Sequence, residues 1–284
     1  MKEHSEGKQN RARFVQLVTD IEKIIDTHRT RLAAHITKPS RPRIVILKNL
    51  IFYEISDIVI ILKMICRRMQ ELRLLDERIM ELRKRVPLGT VDRSTPEGDQ
   101  FCSAATRQHE ATSELEIHIK TIYEWLYHVR DLIRSHCPIH SLVESTYWNK
   151  LESHCEFRNK LVAHKKGMQV ITMGGMRYSA RDFDAEIVLM PFAPPASAVK
   201  ELAPLFARCA NILATDEANE KNFFERCKIL FRNLDKLTNN TARGQVVSFV
   251  QRYGTISAQP IELAEFVQDL AKNLMPKLAA LRND

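Results

Sequence analysis

The pattern of apolar and polar positions predicts a chain built mainly from long helices. Apolar side chains recur at steps of three and four residues through most of the first 167 positions, as on the buried face of an amphipathic helix. Segments with proline or with clustered polar residues interrupt this pattern and separate the predicted helices. The first three helices are predicted at 10–36, 44–86 and 100–136.

A fourth, shorter helix is predicted after Pro138. Ser141 and Glu144 have the spacing of a capping box, in which two side chains satisfy free backbone N–H groups at a helix start. The helix then continues through Val162. Gly167 is suited to end it, because glycine readily adopts the left-handed conformation that often follows a helix.

The remainder of the chain predicts a small β element followed by more helices. β-branched residues around Gly174 and Gly175 indicate a β-hairpin, or two short strands joined by a turn. Pro260 suits the first turn of the last helix, and Pro276 should kink or end it. Helical periodicity returns at 196–214, 217–237, 241–252 and 260–281. The predicted fold class is thus mostly α, with a helical bundle at 1–167, a β-hairpin insert at 168–193 and a C-terminal helical region at 194–284.

Composition narrows the classes of function without choosing one. The net charge of +8 is compatible with contact to RNA, DNA or an anionic membrane surface. The six cysteines are widely spaced and form no Cys-x-x-Cys pair, which favours reduced thiols and a cytoplasmic location. The N-terminal residues lack the apolar core of a signal peptide, and no apolar run reaches the length of a membrane span.

One arginine on the predicted fourth helix occupies an unexpected position. On a helical projection, Arg158 falls on the same side as the apolar residues Leu151 and Cys155. Burying an unpaired guanidinium is costly, so Arg158 either pairs with a carboxylate or lines a cleft for an anion. His164 follows at about 120° around the helix and roughly 9 Å along it, so both side chains could reach one cleft.

The segment RNKLVAHK resembles the motif of the HEPN family of ribonucleases, as it appears in the abortive-infection branch. HEPN proteins carry an arginine, four to six further residues and then a histidine, on a late helix of a four-helix bundle. The residue after the arginine is often Asn, and a small residue often precedes the histidine. Here Asn159 follows Arg158, and Ala163 precedes His164.

The resemblance implies metal-independent RNA cleavage, in which a ribose 2′-hydroxyl attacks the adjacent phosphate. It makes Arg158, His164 and Asn159 the catalytic candidates. A histidine can move the proton near neutral pH, and an arginine can bind the phosphoryl oxygens as charge develops. Asn159 would orient the histidine or bind phosphate. No metal or other cofactor is implied. Further lysines would attract the RNA backbone: Lys160, Lys165 and Lys166.

The resemblance also implies partners. One copy of the motif has a single histidine, whereas acid and base roles require two, and HEPN proteins supply the second by dimerising. We therefore expect RNA and a second copy of this chain as partners, an antitoxin or regulatory protein as a further one, and no membrane. In HEPN toxins controlled by a nucleotidyltransferase, a tyrosine lies two residues after the histidine, where this chain has Lys166.

The spacing alone is not specific, because three other Arg–His pairs in the chain share it. The strongest rival is Arg130–His136, in which Asp131 follows the arginine within a predicted helix. We prefer Arg158–His164 for its longer match. The other pairs are Arg29–His35 and Arg134–His140.

Non-catalytic interpretations remain open for each candidate residue. Arg158 could pair with Glu54, Glu116 or another helix carboxylate, and His164 could stabilise a helix C-terminus. The chain would then be a helical interaction or RNA-binding module. A further alternative is a membrane-surface or regulatory helical protein with no nucleic-acid role. Histidines and cysteines near the third-to-fourth helix junction lack the paired spacing of a zinc site: His136, Cys137, His140, His154 and Cys155.

Overall fold

The structure of the protein is a computed structural model, and its described part is mostly helical, as the sequence predicts. It describes residues 3–34, 42–86, 91–135, 141, 143–162, 173–190, 255–256 and 259–280. The helices are α1 (Glu3–Ala34), α2 (Pro42–Arg83), α3 (Pro96–Arg134), α4 (Ser145–Val162) and α5 (Pro260–Ala280). The strands are β1 (Met173–Ser179), β2 (Asp184–Met190) and β3 (Thr255–Ile256). The helices predicted at 196–214, 217–237 and 241–252 lie outside these ranges.

The chain divides into two compact units. The first contains Met1–Arg158, Tyr178–Ala185 and Ala258–Asp284, and therefore holds α1 to α3, most of α4, the hairpin turn and α5. The second contains Asn159–Arg177 and Glu186–Ser257. Within the first unit α5 packs on α1, whereas the sequence assigned this helix to a separate C-terminal region. No helix in the described ranges is long and apolar enough to span a membrane.

The core of the first unit lies between α2 and α3, which share its largest helix interface. Their periodic apolar side chains are fully buried there, which is the main favourable contribution to folding. Ion pairs flank this interface: Arg107 Nε lies 2.6 Å from Glu71, and Arg68 Nε lies 2.5 Å from Glu114. These contacts fix α2 and α3 as neighbours.

The start of α3 lies four residues before the predicted one, because of a local cap. Thr95 accepts a hydrogen bond from the backbone N–H of Gly98 through its side-chain hydroxyl. Pro96 occupies the first helical turn, where its missing N–H costs nothing. The segment between α2 and α3 therefore ends at Thr95.

The capping box predicted for the fourth helix is wrong. Helix α4 begins at Ser145, and the carbonyl of Glu144 accepts the first helical hydrogen bond, from Trp148 N at 3.0 Å. The Glu144 side chain instead reaches α5, where it accepts hydrogen bonds from Asn273 at 2.7 Å and Lys277 at 3.1 Å. Gly167, the predicted end of this helix, lies outside the described residues.

The predicted hairpin is present, but its turn is not at the glycine pair. Gly174 and Gly175 lie inside β1, and the chain reverses at 180–183. Phe183 takes the left-handed conformation of the turn, with φ of 54°, and its ring packs on Phe14 of α1 at 5.4 Å between centroids. The turn thus lies where Phe183 contacts α1, a tertiary contact that local sequence signals do not reveal. A third strand, β3, pairs antiparallel with β2 in the second unit.

The α1 helix starts before the predicted position 10 because its first turns lie against the hairpin turn. Asn10 Nδ2 donates to the backbone carbonyl of Asp182 at 3.0 Å. Gly7 lies so close to Arg181 that a Cβ atom there would overlap the Arg181 carbonyl oxygen. At the other end of the chain, α5 begins at Pro260 as predicted but continues through Pro276 to Ala280.

Candidate functional site

Arg158 lies at the edge of the buried face of α4. Leu151 and Cys155 on that face are completely buried, whereas the Arg158 side chain is 19% exposed. Its Nε and Nη2 atoms donate to the same oxygen of Glu124 on α3, at 3.0 and 2.7 Å. The sequence left open whether Arg158 pairs with a carboxylate or lines an anion cleft. The structure shows that it pairs with a carboxylate.

The carboxylate that binds Arg158 is not one of those named from the sequence. Glu54 faces His128, with 3.7 Å between Oε2 and Nδ1, and burial raises the pKa of its carboxyl group. Glu116 pairs with Lys120 one turn along α3, at 2.5 Å. Within the described residues Arg158 pairs with Glu124, a different carboxylate of α3.

The rival arginine is also engaged in ion pairs. Arg130 is buried on α3 and donates to Asp131 at 3.0 and 2.7 Å and to Glu152 of α4 at 3.3 Å. Burial disfavours its charged form, but the hydrogen bond to Asp131 and the surrounding charges raise the pKa of Arg130 above its usual value. Arg130 is therefore a permanent charge with carboxylates on two helices.

Both arginines contact one aromatic ring. The guanidinium carbon of Arg130 lies 4.1 Å from the ring centroid of Tyr127, and that of Arg158 lies 4.3 Å from it. Each contact has cation–π geometry. The two positions that compete as motif candidates in the sequence are thus parts of a single site. We call it the arginine cluster: Glu124, Tyr127, Arg130, Asp131, Glu152 and Arg158.

The charges of the arginine cluster are compensated within it. Two guanidinium groups are matched by three carboxylates, so no excess positive charge is left for an incoming anion. Carboxylate and phosphate oxygens accept hydrogen bonds from the same donor geometry of arginine. A phosphate that accepts from Nε and Nη2 of Arg158 would therefore have to displace Glu124.

The structure places some of the predicted site residues and not others. Asn159 follows Arg158 at the end of α4 and is exposed. Lys160 is in the same helix, with its side chain outside the described residues. The remaining candidates, His164, Lys165 and Lys166, lie wholly outside, as does the rival histidine His136. The Arg–His pair itself therefore stays a prediction.

Two chemically reactive residue types beside the cluster have structural roles. His154 packs between the rings of Tyr123 and Phe266, at centroid distances of 5.8 and 4.4 Å, and burial lowers its pKa to about 4. Cys155 is buried, with Sγ 3.9 Å from the Leu126 carbonyl, and burial raises the pKa of its thiol to about 12. A neutral imidazole and a protonated thiol are therefore the forms present at neutral pH.

The comparisons with known proteins add no relative. A scan against models of protein families finds no match to this chain, and searches of curated proteins and of solved structures find none either. The HEPN resemblance of RNKLVAHK at 158–165 therefore stays a prediction from the sequence.

Proposed function

We propose that this protein is a HEPN-like endoribonuclease that cleaves RNA without a metal ion, in the manner of HEPN toxins and anti-phage defence proteins. The proposal treats α1 to α4 as the four-helix HEPN bundle and places the protein in the cytoplasm. The observation that carries it is the position of Arg158. Its guanidinium is held at the partly exposed end of α4 by Glu124 and Tyr127, and the exposed Asn159 follows it.

The proposed reaction uses the residue types of the motif. His164 takes the proton from the ribose 2′-hydroxyl as that oxygen attacks the adjacent phosphorus atom, and the bond to the 5′-oxygen breaks. The products are a 2′,3′-cyclic phosphate and a 5′-hydroxyl. His164 of a second copy supplies the proton to the leaving oxygen. Arg158 binds the phosphoryl oxygens, where negative charge increases in the transition state.

Glu124 has a defined part in this proposal. In the free protein it accepts hydrogen bonds from Nε and Nη2 of Arg158 and so competes with an incoming anion for these donors. The scissile phosphate then replaces the carboxylate as acceptor. The lysines at 160, 165 and 166 supply the attraction for the RNA backbone that the compensated cluster does not.

The test is RNA cleavage by the purified full chain in excess chelator. Labelled single-stranded RNA is incubated with wild type, Arg158→Ala, Arg158→Lys and His164→Ala, and thermal melts confirm that each variant is folded. Arg134→Ala is the matched control, because Arg134 is exposed at the end of α3 and belongs to a rejected Arg–His pair. We expect cyclic-phosphate products from wild type and the control, and a loss of at least ~100-fold in the His164 and Arg158→Ala variants.

An all-DNA oligonucleotide of the same sequence must remain intact, since it lacks the attacking hydroxyl. Cleavage that needs a divalent ion would contradict the proposal. So would cleavage that survives His164→Ala in a folded protein.

A second function is favoured by one observation, the ion pair between Arg158 and Glu124. A guanidinium that is already neutralised is what a structural arginine would show. In this alternative the chain is a non-catalytic helical module that binds RNA or a regulatory protein such as an antitoxin. Binding of RNA without cleavage, unchanged by His164→Ala, would establish it.

A further inference from the structure

The first unit holds a cavity of about 670 Å³ that none of the proposed catalytic residues lines. It lies between the start of α1, the second half of α2 and the hairpin turn at 180–183. Its size falls in the usual range of small-molecule sites. The three elements around it are held together by the contacts of Asn10 and Phe14 with the turn.

Large apolar side chains form one part of the cavity wall. Met69 and Phe183 are buried beneath it, whereas Val15 is 43% exposed and Met80 is 58% exposed. Two exposed apolar side chains thus face solvent inside a concave surface. An apolar ligand group would remove them from water, which is favourable in proportion to the area covered.

Cationic side chains form another part of the wall. Lys8, Arg73 and Arg181 line the cavity, and none of them forms an ion pair within the described residues. Fewer carboxylates than cations line the cavity. Asp76 accepts a hydrogen bond from Gln108 at 2.5 Å, and burial raises its pKa.

Arg11 is a fourth cation and Glu77 a second carboxylate of the same wall. Cations therefore outnumber carboxylates, unlike in the arginine cluster. An apolar anion would be attracted to this cavity, whereas an apolar cation would not.

We propose that this cavity binds a free amphipathic small molecule with an apolar chain or ring and one anionic head group, such as a carboxylate or a phosphate monoester. The apolar part lies on Val15, Met80 and Phe183. The head group is held by the cationic side chains of α1, α2 and the turn. The bound molecule contacts all three elements and therefore stabilises their packing. This site is independent of RNA cleavage.

Calorimetric titration of the full chain with defined probes tests the proposal. The probes are decyl phosphate and decanoate below their micelle concentrations, decanol, and inorganic phosphate. We expect both amphipathic anions to bind and to raise the melting temperature. Decanol and inorganic phosphate should each bind at least ~10-fold more weakly, because each lacks one half of the recognised chemistry.

Matched substitutions on α2 locate the site. Met80 and Leu74 are both 58% exposed, but only Met80 lines the cavity. Arg73 lines it, and the exposed Arg67 does not. Met80→Ser and Arg73→Gln should each weaken decyl phosphate binding ~10-fold, and Leu74→Ser and Arg67→Gln should leave it unchanged.

Three outcomes would overturn the proposal. The first is equal affinity for decanol and decyl phosphate, and the second is an equal effect of the paired substitutions. The third is the absence of binding to the monomeric anions. Cosedimentation with phosphatidylglycerol vesicles in that last case would assign these side chains to a membrane surface instead.

Discussion

Glu124 binds Arg158 through a single carboxylate oxygen that accepts from both Nε and Nη2, at 3.0 and 2.7 Å. The side chains of the pair are 30% and 19% exposed, so water screens it only in part. The same carboxylate is therefore both a contact between α3 and α4 and a competitor for an anion that would accept from these two nitrogens. Removal of its charge should therefore lower the free energy of unfolding but raise the affinity of Arg158 for an anion.

Replacing Glu124 with Gln keeps the shape of the side chain and removes its charge. If Arg158 binds phosphate, Glu124→Gln should tighten binding of an RNA with 2′-deoxy substitutions, which cannot be cleaved, by ~3- to 10-fold. The free energy of unfolding should fall by ~1–2 kcal/mol, because a partly buried ion pair is lost. Fluorescence anisotropy and urea denaturation measure the two effects.

Glu116→Gln is the control for Glu124→Gln, because Glu116 forms an ion pair with Lys120 on the same helix. A gain in RNA affinity of the same size in this control would attribute the effect to net charge. Loss of stability in Glu124→Gln without any gain in affinity would favour the non-catalytic alternative.

Tyr127 should matter through its aromatic ring rather than its hydroxyl. Two guanidinium groups lie within 4.3 Å of the ring centroid. Tyr127→Leu should therefore lower the free energy of unfolding by ~1–2 kcal/mol, and Tyr127→Phe should recover most of that loss. Urea denaturation of both variants tests this. Equal stability of the Leu and Phe variants would show that the arginines do not depend on the ring.

Helix positions could be predicted from the sequence because their signals are local. The apolar periodicity of residues 14–25 and 115–133 marks faces that are buried in the structure. Helix ends were less accurate, since they depend on particular side chains. Thr95 caps α3 four residues before its predicted start. The Glu144 side chain accepts a hydrogen bond from Asn273 of α5 and does not form the predicted capping box.

The partners of the site could not be predicted, because they depend on how α3 and α4 pack. Cys155 of α4 lies against Leu126 of α3, and Glu152 lies against Arg130. The two helices therefore run antiparallel. Glu124, two residues before Leu126, is therefore brought to Arg158, three residues after Cys155. Periodicity identifies the buried face of each helix but not the register between two helices. For the same reason the sequence treated Arg130 and Arg158 as rivals, although they share Tyr127.

Stability at mildly acidic pH should depend on His154. Burial, followed by the positive charge of Lys150, lowers its pKa from 6.5 to about 4 in the folded protein. Between these values the unfolded chain binds a proton that the folded chain does not. The free energy of unfolding should therefore fall as the pH falls from 6.5 towards 4, by up to ~3 kcal/mol, and this contribution should be flat below that range.

His154→Phe removes the titration and keeps a ring against Tyr123 and Phe266. Urea denaturation from pH 7.5 to 4 should show a shallower loss of stability in the variant than in wild type. Other carboxyl groups titrate in both proteins, so the difference between the two curves is the quantity to compare. Parallel curves would show that His154 is accessible to protons in the folded state.

Gly7 provides a test of how the hairpin turn is attached to α1. In an ordinary helix interior, replacement of Gly with Ala stabilises by ~0.5–1 kcal/mol, because glycine loses more backbone freedom on folding. At position 7 the added Cβ would overlap the carbonyl oxygen of Arg181. Since that oxygen belongs to the backbone, α1 and the turn must separate to accommodate it. Gly7→Ala should therefore lower the free energy of unfolding by ~1–3 kcal/mol.

The matched control is Gln9→Ala, at an exposed position of the same helix turn, which should change stability by less than ~0.5 kcal/mol. The separation in Gly7→Ala should also weaken the contacts of Asn10 and Phe14 with the turn, since both adjoin the displaced backbone. Hydrogen exchange of the amides at 180–183 should then be faster in Gly7→Ala than in Gln9→Ala. A stabilised Gly7→Ala variant with unchanged exchange would mean that the turn does not pack on α1 in solution.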